Sequence, residues 1–159
     1  MCGIVGYIGF EDASTFMMEG LSKLEYRGYD SAGIAVLGAD NTIKIQKKVG
    51  RLANLEAMVK ADPNPGHVGI GHTRWATHGR PSDMNAHPHS DEKGLFAVVH
   101  NGIIENYQEL KDDLEALGYI FTSQTDTEVV AHLVHEAMKS TPNLLKAVEQ
   151  VVPQLKGAF

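Results

Sequence analysis

The sequence predicts a layered α+β domain, and three observations support this. Strand-like and helix-like segments are grouped along the chain instead of strictly alternating, which is typical of α+β folds. Apolar residues make up 43% of the 159 residues, enough for a hydrophobic core. A chain of this length forms at most one ordinary domain.

The first half of the chain predicts strands with two helices between them. The expected segments are a buried strand at 3–9, a helix at 12–26, a glycine-flanked loop at 27–33, strands at 33–38 and 42–49, a helix at 51–61 and a strand at 67–74. Both helices place apolar residues at helical spacing on one face. A turn at 39–41 joins the hairpin, and Pro63 and Pro65 end the second helix.

The second half predicts one more apolar strand, at 95–100, followed by helices. A helix at 105–117 is closed by Gly118. Thr125 and Glu128 have capping-box spacing for a helix to about 139. Thr141-Pro142 has the N-cap and N1 pattern of a third helix, which Pro153 kinks or ends. At 156–159 a further apolar strand begins, so we expect the fold to be incomplete at this end.

Charge and hydropathy exclude several classes of protein. The formal net charge is −6 and the pI is about 5.7, which argues against a nucleic-acid partner. The apolar start of the chain is short, is not preceded by Lys or Arg, and runs directly into Glu11-Asp12, so it does not resemble a signal peptide. No segment has the apolar length of a membrane span. A soluble, cytoplasmic protein without a membrane partner is the expectation.

Cys2 is the only cysteine and directly follows the initiator methionine. Methionine aminopeptidases remove Met1 when the second side chain is small. The mature chain would then begin with a residue that carries a thiol and a free α-amine, and that amine can act as the general base for the thiol. The alternative is that Cys2 is a small buried apolar residue.

Histidines are concentrated between residues 67 and 100 and raise the question of a metal site. His87 and His89 are one residue apart, and Asp91 follows. However, the sequence contains no His-Glu-x-x-His helix and no cysteine pair. We therefore expect no metal.

Three loop positions have the chemistry that a thiol enzyme acting on an amino acid would need. The side-chain amide of Asn101 and the backbone N–H of Gly102 could stabilise an oxyanion, although the pair could also be a simple turn. Arg74 could bind a substrate carboxylate and Asp126 a substrate ammonium group. Each could equally be a surface charge, and Asp126 could be a residue at a helix start.

Six segments together carry a resemblance to a known family. They are MCGIVG at 1–6, LEYRGYDSAG at 24–33, GHTRWATHG at 71–79, NAHPH at 85–89, HNGIIEN at 100–106 and SQTDTEV at 123–129. In this order they resemble the class II, N-terminal-nucleophile glutaminase domain of the glutamine–fructose-6-phosphate aminotransferases. The resemblance implies a four-layer αββα sandwich over the whole of residues 1–159.

The resemblance also implies catalytic roles. Cys2 would attack the side-chain amide of L-glutamine while its α-amine carries the proton, giving a γ-glutamyl thioester and ammonia. Asn101 and Gly102 would form the oxyanion hole. Arg27 and His87 lie in matching motifs and would have supporting roles. No cofactor is implied.

Substrate-binding roles follow from the same resemblance. Arg74 would hold the glutamine carboxylate with help from Thr77 and His78, and Asp126 would hold the ammonium group. Trp75 resembles the gate between the glutamine pocket and the route by which ammonia leaves.

The family's domain continues beyond residue 159 and is followed by a sugar-isomerising domain that binds fructose 6-phosphate. We therefore expect residues 1–159 to be a truncated glutaminase domain. Its ammonia would serve glucosamine 6-phosphate synthesis in a full-length enzyme that is a homo-oligomer. Two alternatives remain open: a non-catalytic fragment or partner subunit, and the glutaminase domain of an amidophosphoribosyltransferase-like enzyme.

Overall fold

A computed structural model describes residues 2–76 and 79–159. The first half contains β1 (Gly3–Ile8), α1 (Ala13–Leu24), a 3-10 turn (Glu25–Arg27), β2 (Ser31–Gly38), β3 (Ile43–Val49), α2 (Leu52–Ala61) and β4 (Gly66–Arg74). The second half contains β5 (His89–Ser90), β6 (Ala97–Val98), β7 (Ile103–Ile104), α3 (Tyr107–Ala116), α4 (Glu128–Met138), α5 (Leu144–Val151), a 3-10 turn (Val152–Gln154) and β8 (Gly157–Ala158).

The four long strands form an antiparallel sheet in the order β1-β4-β2-β3. In this register Gly33 of β2 lies opposite His72 of β4. Side chains of a strand alternate between the two faces of its sheet. The sheet therefore has an outer face, which includes Ile34 and Val36, and an inner face, which includes His72 and Arg74.

Helices α1 and α2 cover the outer face. Met17 and Leu21 of α1 and Leu55 of α2 are fully buried against Ile34 and Val36 of β2. Burial of these closely packed aliphatic side chains stabilises the sheet. Asp12 caps α1 by accepting a hydrogen bond from the Thr15 N–H at 2.9 Å.

Short strands and three helices lie on the other side of the sheet. β5 pairs with β6, β7 pairs with β8, and α4 packs on α5 and on β5. Phe96, Val134 and Val151 are buried in one cluster of this half. The predicted α+β class and the αββα order of layers are confirmed. Within the described ranges, no helix is both long and apolar enough to cross a membrane.

Two predicted helix starts are wrong. The N-cap residue of α4 is Thr127, and its side chain makes no capping hydrogen bond to the described residues. The expected capping box of Thr125 and Glu128 therefore does not form. The Glu128 carboxylate instead accepts hydrogen bonds from the backbone N–H groups of Thr122 and Ser123 at 2.8 and 2.7 Å. The cap of α5 is Asn143, which accepts from the Lys146 N–H at 3.0 Å, in place of Thr141.

The strand expected at 95–100 is shorter than predicted, and the segment after it carries an unexpected strand. Regular pairing covers only Ala97–Val98. Ile103–Ile104 forms β7, and its partner β8 lies within the strand expected at 156–159. Residues 99–102 therefore connect two short strands, β6 and β7.

Candidate active site

Cys2 lies beside the end of β4 because β1 and β4 are antiparallel neighbours. Gly3, the first residue of β1, pairs with Thr73. Cys2, the residue before it, is thereby brought next to Arg74 and Trp75. The Trp75 backbone N–H donates a hydrogen bond to Cys2 Sγ at 3.2 Å, and the Sγ–H can donate to the Trp75 carbonyl at 3.6 Å. Sheet pairing and these contacts fix the position of the sulfur.

The predicted oxyanion residues lie against this end of the chain. Asn101 Nδ2 donates a hydrogen bond to the Cys2 carbonyl oxygen at 3.3 Å. Gly102 has a φ of 148°, and a Cβ at this position would lie 2.3 Å from the Ala158 carbonyl oxygen. Glycine is required at this turn because the conformation is left-handed and β8 leaves no room for a side chain.

Arg74 and Asp126 are buried, and both line the same pocket. Arg74 Nη2 donates to the Gly79 carbonyl at 3.1 Å. Burial lowers the pKa of the Arg74 guanidinium, against the attraction of Cys2 and acidic neighbours. Asp126 Oδ2 accepts a hydrogen bond from the Ile104 backbone N–H at 2.8 Å.

The pocket collects residues from five separate segments of the chain. Its described lining residues are Cys2, His72, Arg74, Trp75, His87, His100, Gly102, Thr125, Asp126 and Thr127. Its volume is about 30 Å³, which is enough for one or two water molecules. Thiol, guanidinium, imidazole and carboxylate groups thus line one small polar cavity.

The remaining predicted site residues differ in their placement. Trp75 is 45% exposed at the edge of the pocket and makes an edge-to-face contact with Tyr29, with ring centroids 5.7 Å apart. His87 lines the pocket, whereas Arg27 lies in the 3-10 turn after α1 and is not among the described lining residues. Thr77 and His78 lie outside the described residues.

Two stacked, buried histidines form part of the pocket lining. The rings of His72 and His87 are nearly parallel, with centroids 4.3 Å apart. His72 Nε2 lies 2.8 Å from Asn101 Oδ1, and the His100 backbone N–H donates to His87 Nδ1 at 3.4 Å. Burial lowers the pKa of His72 to about 4 and that of His87 well below its ordinary value. Both rings are therefore neutral at pH 7.

Sequence reasoning missed His72, although a signal was available. His72 and Arg74 are two residues apart in a predicted strand, so their side chains point to the same face of the sheet. Once Arg74 is a candidate site residue, the alternation of side chains along the strand predicts that His72 faces the same pocket.

Lys47 and Gly33 hold the loop that carries His87. Lys47 Nζ donates to the carbonyl oxygens of Met84, Ala86 and Pro88 at 3.2, 2.9 and 3.3 Å. A Cβ on Gly33 would lie 2.1 Å from the His87 carbonyl oxygen. The inner face of the sheet therefore holds this loop in two ways: through the Lys47 ammonium group, and through direct contact between the backbones of Gly33 and His87.

Glu128 organises the loop that carries Asp126. Besides the two backbone N–H groups, its carboxylate accepts from Ser123 Oγ at 2.5 Å. Burial raises the pKa of the Glu128 carboxyl, but the His132 imidazole 3.6 Å away and the hydrogen bonds from Ser123 and Thr122 outweigh burial and hold this pKa far below its ordinary value. Glu128 is thus an ionised anchor of the loop, a role that the sequence did not indicate.

In the part of the chain that the structure describes, no three His, Cys, Asp or Glu side chains are grouped as a metal ion would require. Neighbouring imidazoles stack on each other or bind hydroxyl and amide groups, as His89 does with Thr125 Oγ1 at 3.0 Å.

Comparison with known protein families agrees with this geometry. A family described as the glutamine amidotransferase domain matches residues 72–159, which is more than half of the chain. The chain belongs to this family. The matched region includes Arg74, Asn101, Gly102 and Asp126, whereas Cys2 lies before it.

Curated relatives of this amidotransferase domain carry the name glutamine–fructose-6-phosphate aminotransferase (isomerizing). Those from Acinetobacter baylyi and Clostridium perfringens are 59% and 58% identical to the chain over all 159 residues. That from Thermosynechococcus vestitus is 57% identical over 162 aligned residues. The amidotransferase domain spans about a quarter of the length of these relatives, 26% in each case.

Solved structures of related enzymes share the fold. The glutamine phosphoribosylpyrophosphate amidotransferase of B. subtilis matches with a TM-score of 0.81 and 31% identity, over 99% of the chain and 34% of that protein. A structure described as the allosteric regulatory enzyme of purine biosynthesis matches with a TM-score of 0.83 and 30% identity, with the same coverage. The N-terminal-nucleophile fold is shown by these matches.

Proposed function

We propose that the domain hydrolyses the side-chain amide of L-glutamine through a thioester on Cys2. The observation that carries this proposal is the position of the Cys2 thiol in one pocket with Arg74 and Asp126, beside the Asn101 amide and Gly102. A thiol, oxyanion donors, a cation for an α-carboxylate and an anion for an α-ammonium group together suit an amino acid that carries a side-chain amide, such as glutamine.

The reaction uses the N-terminal residue twice. After Met1 is removed, the α-amine of Cys2 takes the thiol proton, and the sulfur attacks the carboxamide carbon of glutamine. The tetrahedral intermediate collapses as the leaving nitrogen accepts that proton, which releases ammonia and leaves a γ-glutamyl thioester. Water, deprotonated by the same amine, then attacks the thioester, and glutamate leaves as the thiol regains a proton.

Asn101 and Gly102 stabilise the negative oxygen of the tetrahedral intermediate in this scheme. The Asn101 carboxamide already contacts the Cys2 main chain, and the turn at Gly102 is free of a side chain. Donors placed before the reaction need no reorganisation as charge develops, which makes them effective in lowering the barrier.

Arg74 and Asp126 bind the α-carboxylate and the α-ammonium group of glutamine, and we assign Thr77 and His78 to the carboxylate as well. Trp75, half-exposed at the edge of the pocket, is our choice for the gate between the glutamine pocket and the route by which ammonia leaves.

The ammonia is used in a larger enzyme. The chain is 52–59% identical to glutamine–fructose-6-phosphate aminotransferases and 30–31% identical to the matched purine enzymes. This difference favours amination of fructose 6-phosphate, bound by a sugar-isomerising domain, over the amidophosphoribosyltransferase alternative. We further propose that the larger enzyme is a homo-oligomer and that it works in the cytoplasm, a reducing compartment consistent with a single free cysteine.

A glutaminase assay of the purified chain tests the proposal. Wild-type protein, shown by intact mass to lack Met1, should release glutamate and ammonia in equal amounts. Arg74→Ala should raise KM by roughly 10- to 150-fold, the value of one charge-assisted hydrogen bond, with a smaller change in kcat. A folded wild-type chain without Met1 that releases no ammonia would instead favour the non-catalytic alternative.

A further inference from the structure

The carboxamide of Asn101 is held at both ends. Its Oδ1 lies 2.8 Å from His72 Nε2, and its Nδ2 donates to the Cys2 carbonyl oxygen at 3.3 Å. An amide oxygen only accepts hydrogen bonds, so His72 Nε2 must carry the proton. The opposite orientation of the amide would set Oδ1 against the Cys2 carbonyl oxygen, two acceptors in contact.

His72 itself has little freedom to move. It is fully buried in β4, opposite Gly33, and its ring stacks on His87. His87 accepts a hydrogen bond from the backbone N–H of His100, the residue that precedes Asn101. The two histidines therefore contact both the side chain of Asn101 and the backbone that carries it.

We propose that His72 is a positioning residue for the oxyanion hole: its Nε2–H binds Asn101 Oδ1 and directs Asn101 Nδ2 toward the reacting end of Cys2. The inference rests on the proposed function, in which Asn101 Nδ2 stabilises the oxyanion. His72 does not touch the substrate. Without its hydrogen bond the Asn101 carboxamide can rotate, and the donor is no longer held in place before the reaction begins.

The decisive experiment compares His72→Leu, His72→Gln, Asn101→Ala and the double variant His72→Leu/Asn101→Ala in the glutaminase assay. Leucine removes the donor, whereas the glutamine side chain can place an N–H near the position of Nε2. His72→Leu should lower kcat by about tenfold or more, up to the roughly 10²–10³-fold loss expected for Asn101→Ala. KM should stay close to the wild-type value, and His72→Gln should recover most of kcat.

The double variant separates positioning from an independent role. If His72 acts through Asn101, the double variant should be no slower than Asn101→Ala alone, because the group to be oriented is already missing. Losses that multiply in the double variant would overturn the proposal. His67→Gln is the matched control, since His67 is exposed on the same strand and should leave kcat unchanged.

Nitrogen-15 NMR of the histidine rings gives a readout that needs no activity and no His72→Leu protein. In the wild-type chain His72, assigned by the signals lost in His72→Gln, should be the Nε2–H tautomer. An Nδ1–H tautomer would overturn the proposal, because Nε2 could not donate to Oδ1. If the wild-type chain is inactive, or Asn101→Ala retains full kcat, the proposed function fails, and the tautomer still decides whether His72 directs the carboxamide.

Discussion

Asp126 Oδ2 accepts a hydrogen bond from the backbone N–H of Ile104 at 2.8 Å, so the carboxylate expected to bind substrate also holds the strand that follows Asn101 and Gly102. One side chain thereby connects the ammonium-binding position with the oxyanion turn. Substitutions at this residue must be interpreted with both contacts in mind.

Asp126→Asn and Asp126→Ala should separate these two contacts. Asparagine keeps an oxygen that can accept from Ile104 but loses the charge, so KM should rise by roughly 10- to 150-fold with little change in kcat. Alanine leaves a buried N–H unsatisfied, and it should also lower the free energy of unfolding by about 1–3 kcal/mol. Denaturant unfolding and steady-state kinetics of both variants provide the check. Equal stability of the two variants would contradict the second contact.

Cys2→Ala should eliminate glutamine hydrolysis while leaving the fold intact, because the thiol is the group that attacks the amide in the proposed scheme. A glutamine-like electrophile should add one equivalent to wild-type protein and none to Cys2→Ala, as measured by intact mass. A preparation that retains Met1 should also be inactive, since its first amine is no longer that of Cys2. Near-wild-type turnover by Cys2→Ala would refute the assignment.

Gly33→Ala should lower stability and activity by displacing the loop that carries His87. The added methyl group would collide with the His87 carbonyl oxygen, so we expect a loss of roughly 1–3 kcal/mol in stability and a lower kcat as His87 moves. Gly6→Ala is the matched control, because no described atom lies within 4 Å of its new Cβ, and its stability should change by no more than about 0.5 kcal/mol. Thermal melts and kinetics of the pair test this. A Gly33→Ala protein with wild-type stability would show that the close contact is not needed.

Acid should destabilise the domain through its buried histidines. Burial lowers the pKa of His72 to about 4 and that of His89 to about 3, whereas both titrate near 6.5 in the unfolded chain. Between these values the unfolded state binds more protons than the folded state, so stability is present above pH 6.5 and is lost as pH falls toward 4. Each such histidine should remove about 2 kcal/mol between pH 7 and pH 5.

The measurement is urea unfolding at several pH values. His89→Gln should flatten the pH dependence relative to wild type, whereas His67→Gln, at an exposed position, should leave its slope unchanged. A wild-type protein that is equally stable at pH 7 and pH 5 would rule out this effect of the buried rings.

Local patterns in the sequence predicted the long elements well. The hairpin, the strand that ends at Arg74 and the helix that begins at Ala13 all form close to their expected bounds. Their apolar residues recur with a period that only one type of element can satisfy. By contrast, the two-residue strands are too short for any period, and pairing with distant segments determines them.

In the site, too, the sequence predicted some residues, whereas the contacts of others depend on segments that are distant along the chain. Cys2, Arg74, Asn101 and Asp126 were predicted and do come together, whereas Glu128 was assigned to a helix cap and His72 was overlooked. A carboxylate at a helix start can bind either the N–H groups at the start of the helix or those of the preceding loop. The sequence does not show which of the two it binds. Similarly, the partner of a buried imidazole depends on which loop crosses that face of the sheet.

The antiparallel pairing of β1 with β4 has a consequence for the order in which the enzyme is made. At about 5–20 residues per second, synthesis of β4 is complete roughly 3–13 s after that of β1, and synthesis of β8 roughly 8–30 s after it. Throughout the first interval the N-terminus has no neighbouring strand to cover it. An aminopeptidase can therefore reach Met1 on the growing chain before any pocket encloses Cys2. In the proposed mechanism the amine is therefore exposed first and acts as a base only after the later strands have formed, so removal of Met1 precedes assembly of the site.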